Sequence, residues 1–383
     1  MEGIILDKYT SAYKTTNMIK RTALYFLVTA ICITATAQSQ ERIENIIIVT
    51  TDGFRWQEVF KGMDSAIANN KRFNQGDSAI IFKQYWARDA EERRMKLLPF
   101  LWGTLAKQGQ VYGNRLYDNK VDNANPYWFS YPGYNEIFTG FPDTAVNSNE
   151  YKANPNTNLL EFIVKQPGYK NKVAAFGAWE AFDRILNKQR CGFPVVSAFD
   201  TCGGAHPTQD EKLINAMLRD SYKPFGDGEC LDVFTHYEAK SYLKNKSPKV
   251  LYISYGETDE WAHAGRYKDY LNAANQVDKW LGELWTYLQS NPQYKNKTAL
   301  FITVDHGRGD LDKSQWTSHG TKIPDAHEIW FAVLAPGIAA KGEMREGMQL
   351  YQKQFAQTIA SLMGLTFEAE HPIGEAISTI LKK

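Results

Sequence analysis

Three apolar runs in this chain end in residues that bind metal ions. Phe301-Ile302-Thr303-Val304 stops at Asp305-His306-Gly307. Ile46-Ile47-Ile48-Val49-Thr50-Thr51 stops at Asp52-Gly53, and Val250-Leu251-Tyr252-Ile253-Ser254-Tyr255 runs on to Asp259 and His263. Short β-branched runs of this kind read as buried parallel strands, and ligands of open α/β sheets collect beyond the carboxyl ends of such strands. His319, after the polar turn Trp316-Thr317-Ser318, adds one more imidazole. Asp52, Asp259, His263, Asp305, His306 and His319 together offer six nitrogen and oxygen donors. Three donors per ion would hold two divalent cations and leave positions open for a substrate. Mixed imidazole and carboxylate ligation favours Zn2+ over Mg2+ or Ca2+, which prefer oxygen alone. No single member of the set is specific, because an isolated Asp or His at such a position is commonly structural. His206, His236, His327 and His371 have no place in the pattern and read as ordinary loop or core histidines.

A nucleophile is available at Ser130, in Phe129-Ser130-Tyr131-Pro132-Gly133-Tyr134, ahead of a helix predicted over 135–139. Serine at a helix start is ordinarily a cap. The same position lets backbone N–H groups and the helix dipole hold an anion. Coordination to a metal would lower the hydroxyl pKa enough for attack.

Taken in order, Asp52, Ser130, Asp259-x-x-x-His263, Asp305-His306 and His319 resemble the alkaline phosphatase superfamily, especially its nucleotide pyrophosphatase/phosphodiesterase branch. Thr51-Asp52-Gly53-Phe54-Arg55 is similar to the L-D-G-F-R-like motif that ends the first strand there. Ser130-Tyr131-Pro132 is similar to its nucleophile with a following aromatic-Pro pair, and Thr139-Gly140 to its later Thr-Gly. The resemblance spans roughly residues 43 to 340. It implies a three-layer α/β/α sandwich around a mostly parallel sheet. By it, Asp259, His263 and His319 hold one zinc; Asp52, Asp305 and His306 hold the other, and Ser130 bridges towards that ion. It also implies a phosphoryl-binding asparagine after the nucleophile, Asn149 in preference to Asn147, acting with the Tyr131 N–H on a non-bridging oxygen. One departure stands beside the nucleophile: the family's F-P-N-H reads Tyr131-Pro132-Gly133-Tyr134 here.

The implied activity is hydrolysis of small phosphate esters through a covalent phosphoserine. A sulfatase is the nearest alternative, but its C/S-x-P-x-R motif meets Tyr134 where Arg is required. A cofactor-independent phosphoglycerate mutase shares the metal pattern yet needs a large domain inserted after its serine. A phosphotransferase of the superfamily would use the same intermediate. A secreted binding protein on the same scaffold would be expected to lose ligands, and here the ligand set is complete.

Positioning these residues requires alternating strands and helices, and the chain shows that alternation. Helical spacing covers 97–107, 210–219, 232–242, 267–289 and 352–363, the last closed by Gly364. Further strands are expected over 111–116, 172–176 and 329–334, and an irregular polar stretch over 61–77. The chain has 383 residues, 43% hydrophobic and 23% charged, with a formal net charge of +1. That length accommodates a large core, and the near-neutral charge gives no reason to expect nucleic acid as a partner. Met18-Ile19-Lys20-Arg21, the apolar stretch from Thr22 to Thr34, and Ala35-Thr36-Ala37 predict a secretory signal over residues 1–37, with Met18 as an alternative start. Ile31 before Cys32 does not fit a lipoprotein signal. The apolar stretch is short for a membrane span, so no stable membrane insertion is expected. Residues 38–383 are then one exported catalytic domain with loop insertions, periplasmic or secreted. Cys191, Cys202 and Cys230 lack metal-ligand spacing and read as structural, with Cys191–Cys202 as a candidate disulfide.

Overall fold

Strands β1 (Asn45–Thr51), β4 (Val173–Gly177), β6 (Val250–Tyr255) and β7 (Thr298–Thr303) are buried at every position. A strand covered on both faces cannot alternate apolar and polar residues, which explains their continuous apolar runs. In the computed structural model, which describes residues 43–381, they form the centre of one large sheet. The expected leader over 1–37, with Met18 and Cys32, lies outside the described residues. Arg42–Lys383 forms one compact unit.

The other strands are β2 (Gln110–Tyr112), β3 (Asn119–Asp122), β5 (Val195–Ser197), β8 (Glu328–Ile329), β9 (Phe331–Leu334), β10 (Gly342–Glu343) and β11 (Met348–Tyr351). The eight-stranded sheet runs β10-β2-β9-β7-β1-β6-β4-β5, and a three-stranded sheet runs β11-β3-β8. β1 lies between β6 and β7, parallel to both, with Thr50 opposite Ser254 and Thr303. β6–β4 and β4–β5 are also parallel, whereas β9 pairs antiparallel with β7 and β2. Helices flank this mostly parallel sheet, so the α/β architecture is as expected.

Six helices matter most for the site and its support: α1 (Ser130–Thr139), α2 (Gln209–Asp220), α3 (Asp232–Lys246), α4 (Glu257–His263), α5 (Tyr267–Ser290) and α6 (Phe355–Leu362). Thr208 and Glu211 form a reciprocal capping box at α2. α5 buries Leu271, Ala274, Val277, Leu281, Leu284 and Leu288 on one face, as its spacing predicts.

Several elements differ from expectation. α1 begins at Ser130, not Asn135, because Pro132 falls in the first turn, where a missing N–H costs nothing. The helix expected over 97–107 is broken at Leu98, which precedes Pro99 and is pushed out of the helical region. It resumes as a π-turn at Leu101–Leu105, where Asp278 accepts the Phe100 and Leu101 N–H groups. The strand expected over 111–116 stops at Tyr112 and gives way to a 3-10 turn, Arg115–Tyr117. The polar stretch over 61–77 holds two short helices capped by the side chains of Asp64 and Asn70. The strand expected over 329–334 is cut at Trp330, whose indole N–H donates to the Phe54 carbonyl (2.9 Å), and its two parts join different sheets. Cys191, Cys202 and Cys230 are all buried and free, so the Cys191–Cys202 bridge does not form.

Candidate active site

The carboxyl ends of β1, β6 and β7 lie side by side, and each delivers candidate metal-binding residues there. Asp52 follows β1 directly, and its carbonyl accepts the Thr258 hydroxyl at 2.5 Å. Gly53 then turns the chain with φ +56°, and its N–H donates to Asp305 Oδ1 at 3.0 Å. A Cβ at position 53 would come within 2.6 Å of Asp259 Oδ1 and 3.0 Å of His306 Cε1. Glycine here keeps open the space into which those two side chains point. α4 carries Asp259 and His263 one turn apart on a common face. The Asp305 carbonyl is held by the side chains of Asn123 (2.7 Å) and Gln352 (2.9 Å).

His306 is the centre of the group. It is fully buried, and its Nδ1 lies 2.9 Å from the Gly307 carbonyl. A carbonyl only accepts, so Nδ1 carries the proton and Nε2 faces the site. Around Nε2 lie Asp305 Oδ2 (3.3 Å), Asp52 Oδ1 (3.4 Å) and Asp259 Oδ1 (3.7 Å). Asp52 Oδ1 and Asp305 Oδ2 are buried and have no hydrogen-bond partner. Burial works against an imidazolium here, but Asp305 and Asp52 outweigh it and raise His306 to about 9. Burial and then the neighbouring Asp52 push the Asp305 carboxyl well above the usual range. Stripped carboxylate oxygens converging on an aimed imidazole nitrogen are what a buried cation satisfies. Asp52, Asp305 and His306 therefore fit one divalent ion.

A second group adjoins it. Asp259 Oδ2 is 2.9 Å from His263 Nε2, which is 3.0 Å from His319 Nε2. His306 also lies within ligand reach of Asp259 and His319, so the two groups meet at that ring. The His306 and His319 rings stack at 4.0 Å. Arg308 is buried and ion-paired with Asp259, and its Nη2 also donates to the Asp259 carbonyl (3.1 Å). Burial opposes ionisation of Asp259, but Arg308 and His263 hold its carboxyl well below the usual range.

Ser130 Oγ is 3.3 Å from His306 Nε2, at the buried start of α1. All seven residues expected to bind metal are thus brought together. Asn149 is the asparagine that reaches the start of α1: its Oδ1 accepts the Tyr131 N–H at 2.9 Å. Asn147 is exposed on the same loop. The Tyr131 N–H, expected to act on the same oxygen as Asn149, is here engaged by Asn149 Oδ1, and that bond leaves the Asn149 amide NH2 as a donor. The Tyr131 ring is buried, with its hydroxyl on the Lys152 carbonyl (2.8 Å).

Sequence reasoning missed two residues. Tyr134, the departure from the F-P-N-H pattern, donates its hydroxyl to Asp52 Oδ2 (2.9 Å) and so orients that ligand. Arg308 stands two residues after His306, a proximity that was the available signal. Arg184 and Arg190 are each tied to neighbouring protein groups. Arg184 donates to the carbonyls of Asn149 (3.2 Å) and Tyr151 (3.0 Å), and Arg190 binds Glu161 and the carbonyls of Pro155 and Asn156.

The family model described as Sulfatase matches residues 129–365, a span that begins one residue before Ser130 and takes in every ligand except Asp52. The chain belongs to the sulfatase family. Over 327 residues it is 23% identical to a 2,3-bisphosphoglycerate-independent phosphoglycerate mutase of Synechocystis sp., covering 82% of this chain but only 58% of the mutase. Among solved structures it is similar to the alkaline phosphatase PafA, with TM-score 0.59 and 9% identity, covering 89% of this chain and 99% of PafA. It is similar too to the lipoteichoic acid synthase LtaP from Listeria monocytogenes, with TM-score 0.54 and 15% identity over 85% of this chain and 73% of LtaP. These sulfatase-family and alkaline phosphatase likenesses place the fold in the alkaline phosphatase superfamily. Its enzymes are hydrolases or transferases of phosphate or sulfate esters and use divalent metal ions. Among the described residues, no helix is long and apolar enough to cross a membrane.

Proposed function

We propose that residues 38–383 form an exported, metal-dependent hydrolase of small phosphate diesters that works through a covalent phosphoserine on Ser130. The observation that carries this reading is the placement of a buried serine hydroxyl 3.3 Å from His306 Nε2, among unpartnered carboxylate oxygens of Asp52 and Asp305. Asp52, Asp305 and His306 would hold one ion and Asp259, His263 and His319 the other, with Zn2+ favoured by the mixed donors. The bound pair would supply positive charge to stabilise the serine alkoxide, the leaving oxygen and the transition state.

The chain's own residues do the rest. Ser130 Oγ attacks phosphorus, a new O–P bond forms, and the P–O bond to the leaving alcohol breaks in line with it. Water then attacks the phosphoserine from the vacated side, releasing the phosphomonoester and restoring the hydroxyl. The Asn149 amide, held by the Tyr131 N–H, binds a non-bridging oxygen. Tyr134 keeps Asp52 in place, and the Gly307 carbonyl fixes the His306 tautomer.

Two features favour a phosphate diester. The buried Tyr134 occupies the position where a sulfatase nucleophile motif needs Arg, and its hydroxyl is spent on Asp52. Arg184 and Arg190 are tied to carbonyls and carboxylates, so neither is free to neutralise the second charge of a monoester. The test is a panel of bis(p-nitrophenyl) phosphate, p-nitrophenyl phosphate and p-nitrophenyl sulfate with added Zn2+. The diester should be turned over fastest; a clear preference for the sulfate or the monoester would overturn the reading.

A further inference from the structure

The two groups of candidate metal-binding residues differ in how far the protein already satisfies them. In the first, Asp52 Oδ1 and Asp305 Oδ2 are buried without a hydrogen-bond partner, and among the described residues neither carboxylate pairs with an Arg or Lys. In the second, both oxygens of Asp259 are taken, Oδ1 by the Arg308 guanidinium and Oδ2 by His263 Nε2 at 2.9 Å. His263 in turn meets His319 at 3.0 Å.

Arg308 is a cation fixed in place. Its side chain is wholly buried. The backbone is pinned on either side of it: the Gly307 N–H donates to the Ala326 carbonyl at 2.7 Å and the Gly309 N–H to the Ser318 carbonyl at 3.1 Å. Nη2 also donates to the Asp259 carbonyl (3.1 Å) and Nη1 to the Trp316 carbonyl (3.4 Å). Nε is buried without a partner, and a Cβ at position 53 would come within 2.9 Å of it. The hydrogen of Gly53 therefore leaves room for Arg308 as well as for Asp259 and His306.

By formal charge, Asp52 and Asp305 offer a cation two negative charges. Asp259 with Arg308 offers none, and histidine binds a metal as the neutral imidazole. A fixed positive charge in a buried site repels a second cation with little screening. Solvent access differs in the same sense, since the His263 side chain is 44% exposed and that of His306 is not exposed at all.

We propose that Arg308 makes the two ions unequal: the Asp52, Asp305 and His306 group binds first and tightly, and the Asp259, His263 and His319 group binds its ion weakly because Arg308 already neutralises Asp259. This rests on the two-ion reading of the site and deepens it. Arg308 acts through Asp259 and is a positioning residue. It holds that carboxylate in place and sets how readily the solvent-facing ion exchanges.

The test is calorimetric titration of the metal-free protein with Zn2+. Wild type should bind in two steps, the second weaker by roughly tenfold or more. Arg308→Gln removes the charge and frees an Asp259 oxygen, and should tighten the second step by about tenfold while leaving the first nearly unchanged. Zn2+ should also raise the Tm of Arg308→Gln more than that of wild type. Arg308→Lys keeps the charge and should keep the wild-type gap. His263→Ala alters the exposed histidine and should abolish only the weak step. Two equal steps in wild type, loss of the tight step in His263→Ala, or an unchanged gap in folded Arg308→Gln would overturn the inference and leave the two-ion reading standing. No Zn2+ bound, or a single ion in every protein, would overturn the two-ion reading itself. If Arg308→Gln does not fold, Arg308→Lys decides: a retained gap supports the charge as its cause, and a closed gap refutes it.

Discussion

Gly133 lies directly against Asp305: a Cβ at position 133 would sit 2.3 Å from the Asp305 carbonyl oxygen. α1, which starts at Ser130, is thereby seated against the turn that carries Asp305 and His306. Position 133 is where the family pattern has Asn, and the close approach explains why only a hydrogen fits.

Gly133→Ala should force α1 away from Asp305. Overpacking of this kind costs about 1–3 kcal/mol, and it displaces Ser130 from His306 as well. The expected outcome is a folded protein with a modestly lower Tm and a disproportionate loss of kcat. Wild-type turnover together with wild-type Tm would show that the contact does not position the nucleophile.

Asn149→Ala should remove one donor from the phosphoryl oxygen and free the Tyr131 N–H. Loss of a preformed oxyanion donor typically lowers rate by about 10²–10³, so kcat should fall on that scale with little change in Tm. Asn147→Ala, at the exposed neighbour, should leave kcat/KM for the same diester unchanged. The reverse ranking in steady-state kinetics would transfer the role to Asn147.

Glu238 sits on α3, buried, with its Oε1 unpartnered. Burial, assisted by Asp200, raises its carboxyl to about 8. The unfolded chain releases this proton near pH 4.5 and the folded chain near pH 8. Between those values the folded state binds more protons, so this group's contribution to stability falls as pH rises, on the order of 1.4 kcal/mol per pH unit. Glu238→Gln removes the titration. Its Tm should exceed the wild-type value most at pH 8 and least at pH 5, in melts recorded across that range. Parallel curves for the two proteins would contradict the assignment.

The clustering of the candidate metal-binding residues was legible in the sequence because the strands that deliver them are buried on both faces. Continuous apolar runs mark such strands, and each run breaks at the first residue that leaves the sheet. Asp52 and Asp305-His306 stand at those breaks, and Asp259 with His263 follows on the adjoining helix. Features that depend on contacts between distant segments were not legible. Nothing in Tyr131 or Tyr134 announces that one uses its backbone to hold Asn149 and the other its hydroxyl to hold Asp52. The helix expected from Asn135 starts five residues earlier, since Pro132 in a first turn is compatible with helix. Trp330 looks like a strand residue until Phe54 supplies a carbonyl for its indole. Cys191 and Cys202 are close enough in sequence to suggest a bridge, but each thiol is buried beside other partners, Phe193 for one and Asn215 for the other.

The central claim is that Ser130 is the attacking group beside a two-ion cage formed by Asp52, Asp259, His263, Asp305, His306 and His319. Metal content and turnover measured together on Ser130→Ala test it most directly. The variant should keep about two zinc ions per chain and a near wild-type Tm while losing diester hydrolysis almost completely. Full turnover in that variant, or a wild-type protein that binds no divalent metal, would contradict the account.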